Sequence, residues 1–346
     1  MADPILKAHL DRLWRQGREF LGCEYALMGG AMSWVSEHNL VSAISNGGGF
    51  GVIACGSLDS NQLKAEIVAT KEKTTKPFGV NLIMMHPDLE NLIDVCVEQR
   101  VGHIVLAGGM PTKRAILRIK EGGAKAVCPV PDQSLTIAKR LIRNGADALI
   151  IEGAEAGGHI GPVSTSVLAQ EILPATDGVP VFVAGGIGRG EAIVSYLQMG
   201  AAGCQLGTRF VCATESIAHP EFKQSLIRAS ARDAVVSVQL DPDLPVIPVR
   251  ALGNGGTQRF METQRQVAAR YRDGEITQEQ AQLEIELYWA GALRRAVIDG
   301  DVENGSLMAG QSVGMVTREQ TTVEILEELV DQALTALAAW EIREAS

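Results

Sequence analysis

Eight short apolar runs punctuate the first two-thirds of the chain, most of them bounded by glycine. They are YALMGG (25–30), FGVIAC (50–55), FGVNLI (78–83), HIVLAGG (103–109), KAVCPV (125–130), DALIIEG (147–153), VPVFVAGG (179–186) and AGCQLGT (202–208). Runs this short and this continuously apolar fit strands covered on both faces, the situation of parallel sheets. Helical patterns separate them, such as DSNQLKAEIVATKEK, PTKRAILRIKEGG and DQSLTIAKRLIRNG. SEHNLVSAISNGG offers Ser36 as an N-cap and stops at glycine. Eight strand–helix units within about 190 residues predict a (β/α)8 TIM barrel. A doubly wound open sheet is the rival. Its GxGxxG fingerprint is missing, because neither GGAMSW nor GGIGRGE fits.

The pattern changes near Ser216. SVQLDPDLPVIPVRALGNGG is irregular and rich in Pro and Gly, and a long charged helical stretch follows to about 298. The expected organisation is a barrel over 21–215, a small C-terminal helical lobe over 216–298 that covers the substrate, and 299–346 packing back on the barrel. The tail TREQTTVEILEELVDQALTALAAW reads as an amphipathic helix with a threonine cap. The helical lobe is suited to a homodimer contact.

Charge and cysteine usage narrow the partners. A formal net charge of -10 with no Lys/Arg run argues against nucleic acid and anionic membrane surfaces. No stretch reaches 18 uncharged apolar residues, and the N-terminus has no apolar signal region, so no membrane span or secretory signal is expected. Six cysteines stand singly with no CxxC pair. They predict a reduced, cytoplasmic protein without a structural metal.

In a barrel, chemistry sits at the C-terminal strand ends. Glycine is dense there: Gly29-Gly30, Gly108-Gly109, Gly157-Gly158, Gly185-Gly186 and Gly207-Thr208. The last two pairs follow the seventh and eighth strands, where barrels hold phosphate on backbone N–H groups. Helix stops and tight turns are the alternative explanation. Asn81 lies inside an apolar strand, and a buried amide there needs partners. It either ties strands together or meets a heterocycle, and Gln205 and Gln311 pose the same question. Glu152 ends ALIIE and must be paired or ligated. His159, in EGAEAGGHIG after the sixth strand, is placed for general-base work near neutral pH.

Six co-linear motifs carry a family resemblance: MGGAMSWVSEHNLVSAISNGGGFGVIA, KPFGVNL, EGAEAGGHIG, VPVFVAGGIGRGEA, GCQLGTRFVCATES and GDVENGSLMAGQ. Together they resemble the nitronate monooxygenase (2-nitropropane dioxygenase) family, which includes FabK-type flavin enoyl-ACP reductases. The resemblance implies a TIM barrel that binds FMN. It places Gly30, Ala31 and Met32 along the flavin ring and Asn81 at its polar edge. It places Gly158, Gly185, Gly186, Gly207 and Thr208 around the phosphate, with Glu152, Ala184 and Gln205 at the same mouth and Gln311 closing it. His159 matches the base of the nitronate branch.

Two activities follow from the resemblance. Nitronate oxidation needs flavin, a base, a small nitroalkane or nitronate, and O2. Enoyl reduction needs NAD(P)H as co-substrate and an acyl carrier protein as partner. The motif wording leans to the reductase, whereas the acidic chain leans away from an acidic carrier protein. Nitronate oxidation is taken as the expectation. A barrel that binds a phosphate ligand without redox chemistry is the remote third reading.

Overall fold

The computed structural model describes residues 3–344 apart from 177, 242, 243 and 245. The apolar runs become β1 (Leu27–Gly29), β2 (Phe50–Ala54), β3 (Gly79–Ile83), β4 (His103–Ala107), β5 (Lys125–Pro129) and β6 (Ala148–Glu152), then β8 (Val181–Ala184) and β9 (Gly203–Leu206). The two-residue strand β7 (Gly158–His159) falls between β6 and β8 and stays out of the ring. All eight ring strands pair in parallel, and β9 returns to β1 through Leu27↔Cys204 and Met28↔Gln205. This is a (β/α)8 barrel, as the spacing of the runs predicts.

Side-chain alternation sends every second residue inward. Register partners share a direction, so Glu152↔Ala184↔Gln205↔Met28 forms one inward row and Ala54↔Asn81↔Val105↔Val127 another. The apolar part of the inside is filled by Met28, Phe50, Val52, Val105, Val127, Ile150 and Phe182. Phe20, from helix Arg15–Leu21, plugs the N-terminal end. His103 Nε2 lies 2.8 Å from the Phe20 carbonyl, which also accepts from Lys125 Nζ. The His103 ring stands edge-on to Phe50 at 4.9 Å and to Phe20 at 5.2 Å.

Several outer helices carry a side-chain cap. Asp59 and Gln62 form a reciprocal capping box on helix Ser60–Lys73, and Thr112 and Ser134 cap helices Lys113–Glu121 and Leu135–Arg143. Ser36 is not a cap. The carboxylate of Glu37 takes that role for helix His38–Asn46, accepting from the N–H groups of Asn39 and Leu40. The Ser36 hydroxyl is already committed to the preceding turn, donating to Gly30 O and accepting from Met32 N–H.

Beyond β9 the chain differs from a purely helical lobe. Helix Pro220–Arg228 buries Phe222 and Leu226 in the barrel-side core. A small sheet then forms from β10 (Ala234–Val236), β11 (Val249–Leu252) and β12 (Leu307–Met308), and β7 joins it by pairing with β11. Prolines at 242, 245 and 248, just before Val249, and Arg250's place in the run hid that strand in the sequence. Helices Gly255–Arg272 and Gln278–Val297 pack over the sheet with their own core of Val249, Phe260, Val267, Ile285 and Trp289. The Phe260 and Trp289 rings lie 4.1 Å apart. Residues 242, 243 and 245 of the expected lobe, and 345 and 346 of the expected tail, lie outside the described residues.

Helix Thr322–Glu344 opens on a box in which Thr321 Oγ1 accepts from Glu324 N–H at 3.1 Å and the Glu324 carboxylate accepts from Thr321 N–H at 2.7 Å. It packs on helix Gly190–Gln198 so closely that a Cβ at Gly190 would lie 2.1 Å from Leu329 O. No described helix is long and apolar enough to cross a membrane.

The bottom plug gives a pH signature. Burial pushes the His103 pKa down to about 4, with the Lys125 charge adding to the effect and the Phe20 carbonyl opposing it. The unfolded imidazole titrates near 6.5, so on acidification the unfolded chain takes up this proton first. The His103 contribution is complete above pH 6.5 and falls away as pH drops toward 4, by about 3 kcal/mol across that window. Denaturant titrations at pH 7.5, 5.5 and 4.5 check this. Stability relative to His103→Gln should shrink steadily as pH falls, and a constant difference would contradict the assignment.

Candidate active site

Three polar side chains project inward at the C-terminal end of the barrel: Asn81 from β3, Glu152 from β6 and Gln205 from β9. None of their side chains hydrogen-bonds to a described residue, although buried amides and carboxylates normally find partners. Asn81 is only 7% exposed. Glu152 lies deep yet keeps some accessible surface. Burial pushes its pKa up to about 7, against an opposing pull from His159. Three polar side chains without a hydrogen-bond partner among the described residues thus point into one mouth, and their chemistry suits a polar ligand.

The loops around the mouth interlock. Gly30 N–H donates to Leu206 O at 2.9 Å, and a Cβ at Gly30 would press on the Gln205 side chain at 3.1 Å. Ala31 and Met32 follow, and Met32 Sδ lies 3.5 Å from where a Cβ on Gly207 would be. Thr208 Oγ1 accepts from Gly310 N–H at 3.0 Å, which docks the C-terminal loop on β9. The same loop meets the β6 loop, where Gln311 N–H donates to Glu155 O at 2.9 Å. A Cβ on Gly157 would sit 2.6 Å from the Ala309–Gly310 backbone. Glu155 is fixed in turn, accepting from Thr165 N–H at 2.9 Å and from its hydroxyl at 2.8 Å.

Some of the glycine density therefore serves the protein's own packing. Gly185 has φ +97° and is crowded at 3.0 Å by Gly153 and Thr165, and Gly186 (φ +71°) faces Glu155 at 2.9 Å. Gly158 differs, because its φ of +78° demands glycine while little besides Met308 stands near it. Gly185, Gly186, Gly207 and Thr208 do converge, since β8 and β9 are neighbours.

His159 is placed differently from a simple barrel-loop residue. It is exposed, and its strand β7 pairs antiparallel with the lobe strand β11 through His159↔Val249 and Gly158↔Arg250. Arg250 went unremarked in the sequence. Its signal was an arginine inside the apolar run VIPVRAL. The guanidinium is 8% exposed and donates from Nε and Nη2 to Ala154 O at 3.0 and 2.8 Å. Burial lowers its pKa, opposed by Glu155. Away from the mouth, Glu37, His38 and Glu66 bring ligand-type atoms together, with His38 Nδ1 3.0 Å from each carboxylate. Both acids there are occupied in capping, Glu37 as above and Glu66 by accepting from His38 N–H.

A closed parallel barrel with a polar C-terminal mouth, beside it an imidazole on a glycine-rich loop, is the fold and site framework of a (β/α)8 enzyme; the relatives it matches make it an oxidoreductase. The chain belongs to the nitronate monooxygenase family, whose model matches residues 16–99 and 89–332. It is 31% identical to the (3aS,4S,5R,7aS)-5-hydroxy-7a-methyl-1-oxo-octahydro-1H-indene-4-carboxyl-CoA dehydrogenase of Mycobacterium tuberculosis, over 92% of this chain and 96% of that one. It is 26% identical to a probable nitronate monooxygenase of Staphylococcus aureus, over 92% and 98% of the two chains. The structure of FabK from Thermotoga maritima superposes with a TM-score of 0.82 at 33% identity, covering 95% of this chain and 98% of that one. Nitroalkane oxidase from Streptomyces ansochromogenes, at 24% identity and a TM-score of 0.77, shares the fold.

The family consists of flavin enzymes, and the unpartnered Asn81, Glu152 and Gln205 fit such a group. An isoalloxazine edge offers both donors and acceptors, which two amides and a carboxyl can match. Asn81→Leu tests the fit. The flavin-free protein should gain about 1 kcal/mol in denaturant unfolding because an unsatisfied amide is removed. Flavin affinity, read by fluorescence titration, should fall roughly tenfold or more. A loss of stability with flavin affinity unchanged would show that Asn81 ties strands together instead.

Proposed function

We propose that the protein is an FMN-dependent oxidoreductase that exchanges hydrogen beside the carbonyl of an acyl thioester, with His159 as the proton-transfer group. The reading departs from the nitronate expectation for one reason. Apolar side chains stand exposed around β11, the strand that pairs with His159: Ile247 at 50% just before it, and Val236 at 39% and Val238 at 56% on and after β10, across β11 from β7. Ile247 precedes Pro248, whose carbonyl accepts from Ile160 N–H at 2.9 Å. A small nitronate has no use for such a surface, whereas an acyl chain would cover it. The similarity to a carboxyl-CoA dehydrogenase and to FabK supports the same substrate class.

FMN, when bound, supplies hydride exchange. Asn81 and Gln205 would orient its polar edge, and Ala184, between Glu152 and Gln205, would keep the floor flat. Gly30, Ala31 and Met32 would line the ring. Gly158, Gly185, Gly186, Gly207 and Thr208 would hold the phosphate end, and Gln311 would close the mouth. His159 would take the proton α to the thioester carbonyl as the β-hydrogen leaves as hydride, and would return that proton in the reducing direction. Glu152, whose pKa burial raises to about 7, would be about half protonated at neutral pH, which lessens the negative charge under the ring. NAD(P)H would be the reductant when the reaction runs toward the saturated acyl group. The nitronate reading rests on the family model and the Staphylococcus aureus relatives.

Anaerobic stopped-flow separates the two. The FMN-loaded protein is mixed with NADH, NADPH or propyl-2-nitronate, and the reduced form is then mixed with crotonyl-CoA. The expected result is bleaching by a reduced nicotinamide and recovery of colour with crotonyl-CoA. His159→Ala should slow the recovery about 100-fold while retaining flavin. Bleaching by the nitronate alone would overturn the thioester reading, and unchanged rates in His159→Ala would remove its catalytic role.

A further inference from the structure

The geometry points to Arg250 as a positioning residue that sets His159 from the lobe, an inference that rests on His159 being the proton-transfer group. One strand, β11, grips the loop Gly153–His159 at both ends. At the far end its backbone pairs with Gly158 and His159. At the near end the Arg250 side chain reaches back and places two N–H groups on the single carbonyl of Ala154. A third N–H, from Nη1, goes to Ala234 O on β10. The stretch between the grips has no slack, because Glu155 is held by Thr165 and Gly157 lies against the Ala309–Gly310 backbone.

The choice of arginine is informative. A buried guanidinium whose hydrogen bonds all go to carbonyls, with Glu155 acting on it only electrostatically, is an expensive way to join two segments. Apolar contact would join lobe to barrel at lower cost, and the lobe already has its own apolar core. What arginine adds is a planar fork that fixes the direction of the carbonyl it holds as well as its distance. Lysine at this position keeps the charge but loses the fork. The Ala154 peptide is oriented by this contact, and five residues further on the loop delivers the imidazole.

The test uses the full-length FMN-loaded protein. Arg250→Lys, His159→Ala and the double variant are compared for flavin content, thermal midpoint, hydrogen exchange of the amides of 154–161, and kcat and KM for crotonyl-CoA with NADH. Arg250→Lys should keep its flavin and change KM by less than about threefold, while kcat falls roughly tenfold and exchange accelerates in 154–161 alone. In the His159→Ala background the same substitution should cost less than about a further twofold, because the group it positions is gone. Multiplying losses in the double variant, or unchanged kcat and exchange in Arg250→Lys, would overturn the proposal. If His159→Ala leaves turnover untouched, the catalytic reading fails by itself, and the loop exchange alone then decides whether Arg250 orders the segment. If Arg250→Lys does not retain flavin, Arg250→Gln, which keeps a neutral donor, carries the same comparison.

Discussion

Pairing of β9 with β1 closes the ladder, and from then on no ring strand has a free edge. Each ring strand pairs with a neighbour on both sides, so the freedom left to the sequence lies in what points inward and what happens at the two ends. The inward volume is small for an eight-stranded ring and is filled by apolar side chains. The N-terminal end is stoppered by Phe20, whose carbonyl gathers both His103 and Lys125. Ligand access is thereby confined to the other end, where Asn81, Glu152 and Gln205 replace apolar residues on the inward face.

The barrel was legible because its strands are short, apolar on both faces and evenly spaced, so each announced itself locally. The mouth was legible for a related reason: a polar residue such as Asn81 inside FGVNLI breaks a pattern that packing alone would keep apolar. The lobe was harder. Val249–Leu252 pairs with three segments far away in the chain, and nothing local distinguishes VRAL from loop. Ser36 was off by one residue because serine and glutamate can both cap, and the competing bonds to Gly30 and Met32 are tertiary. The glycines stay ambiguous in the sequence: Gly153, Gly157 and Gly185 make close backbone and Thr165 contacts within the protein, which a sequence cannot separate from approach to a ligand.

The lobe and the barrel are joined at the loop that carries His159. β7 leaves the ring to become a strand of the lobe sheet, and Arg250 reaches from that sheet to the start of the same loop. Any displacement of the lobe sheet is felt at His159 directly, since a two-residue strand has no register to spare. In the proposed reading, a substrate lying between lobe and barrel would act on the geometry of the imidazole as well as on its own position, which would tie specificity to chemistry.

Burial moves two titratable groups in opposite directions at the two ends of this barrel. His103 is driven down to about 4 and Glu152 up to about 7 by the same cause, the unfavourable transfer of charge into a low-dielectric interior. What separates them is accessibility. His103 bonds the Phe20 carbonyl through one nitrogen, and its other nitrogen is sealed without a partner, so nothing from solvent can reach it. Glu152 lacks a donor but still opens on the mouth, beside Asn81 and Gln205. A sealed unmet group is a packing compromise, whereas an accessible unmet group at a strand end is a place for a ligand. By that criterion the histidine at the N-terminal end helps hold the barrel shut, and the mouth carboxyl lies where the proposed reading would place the flavin.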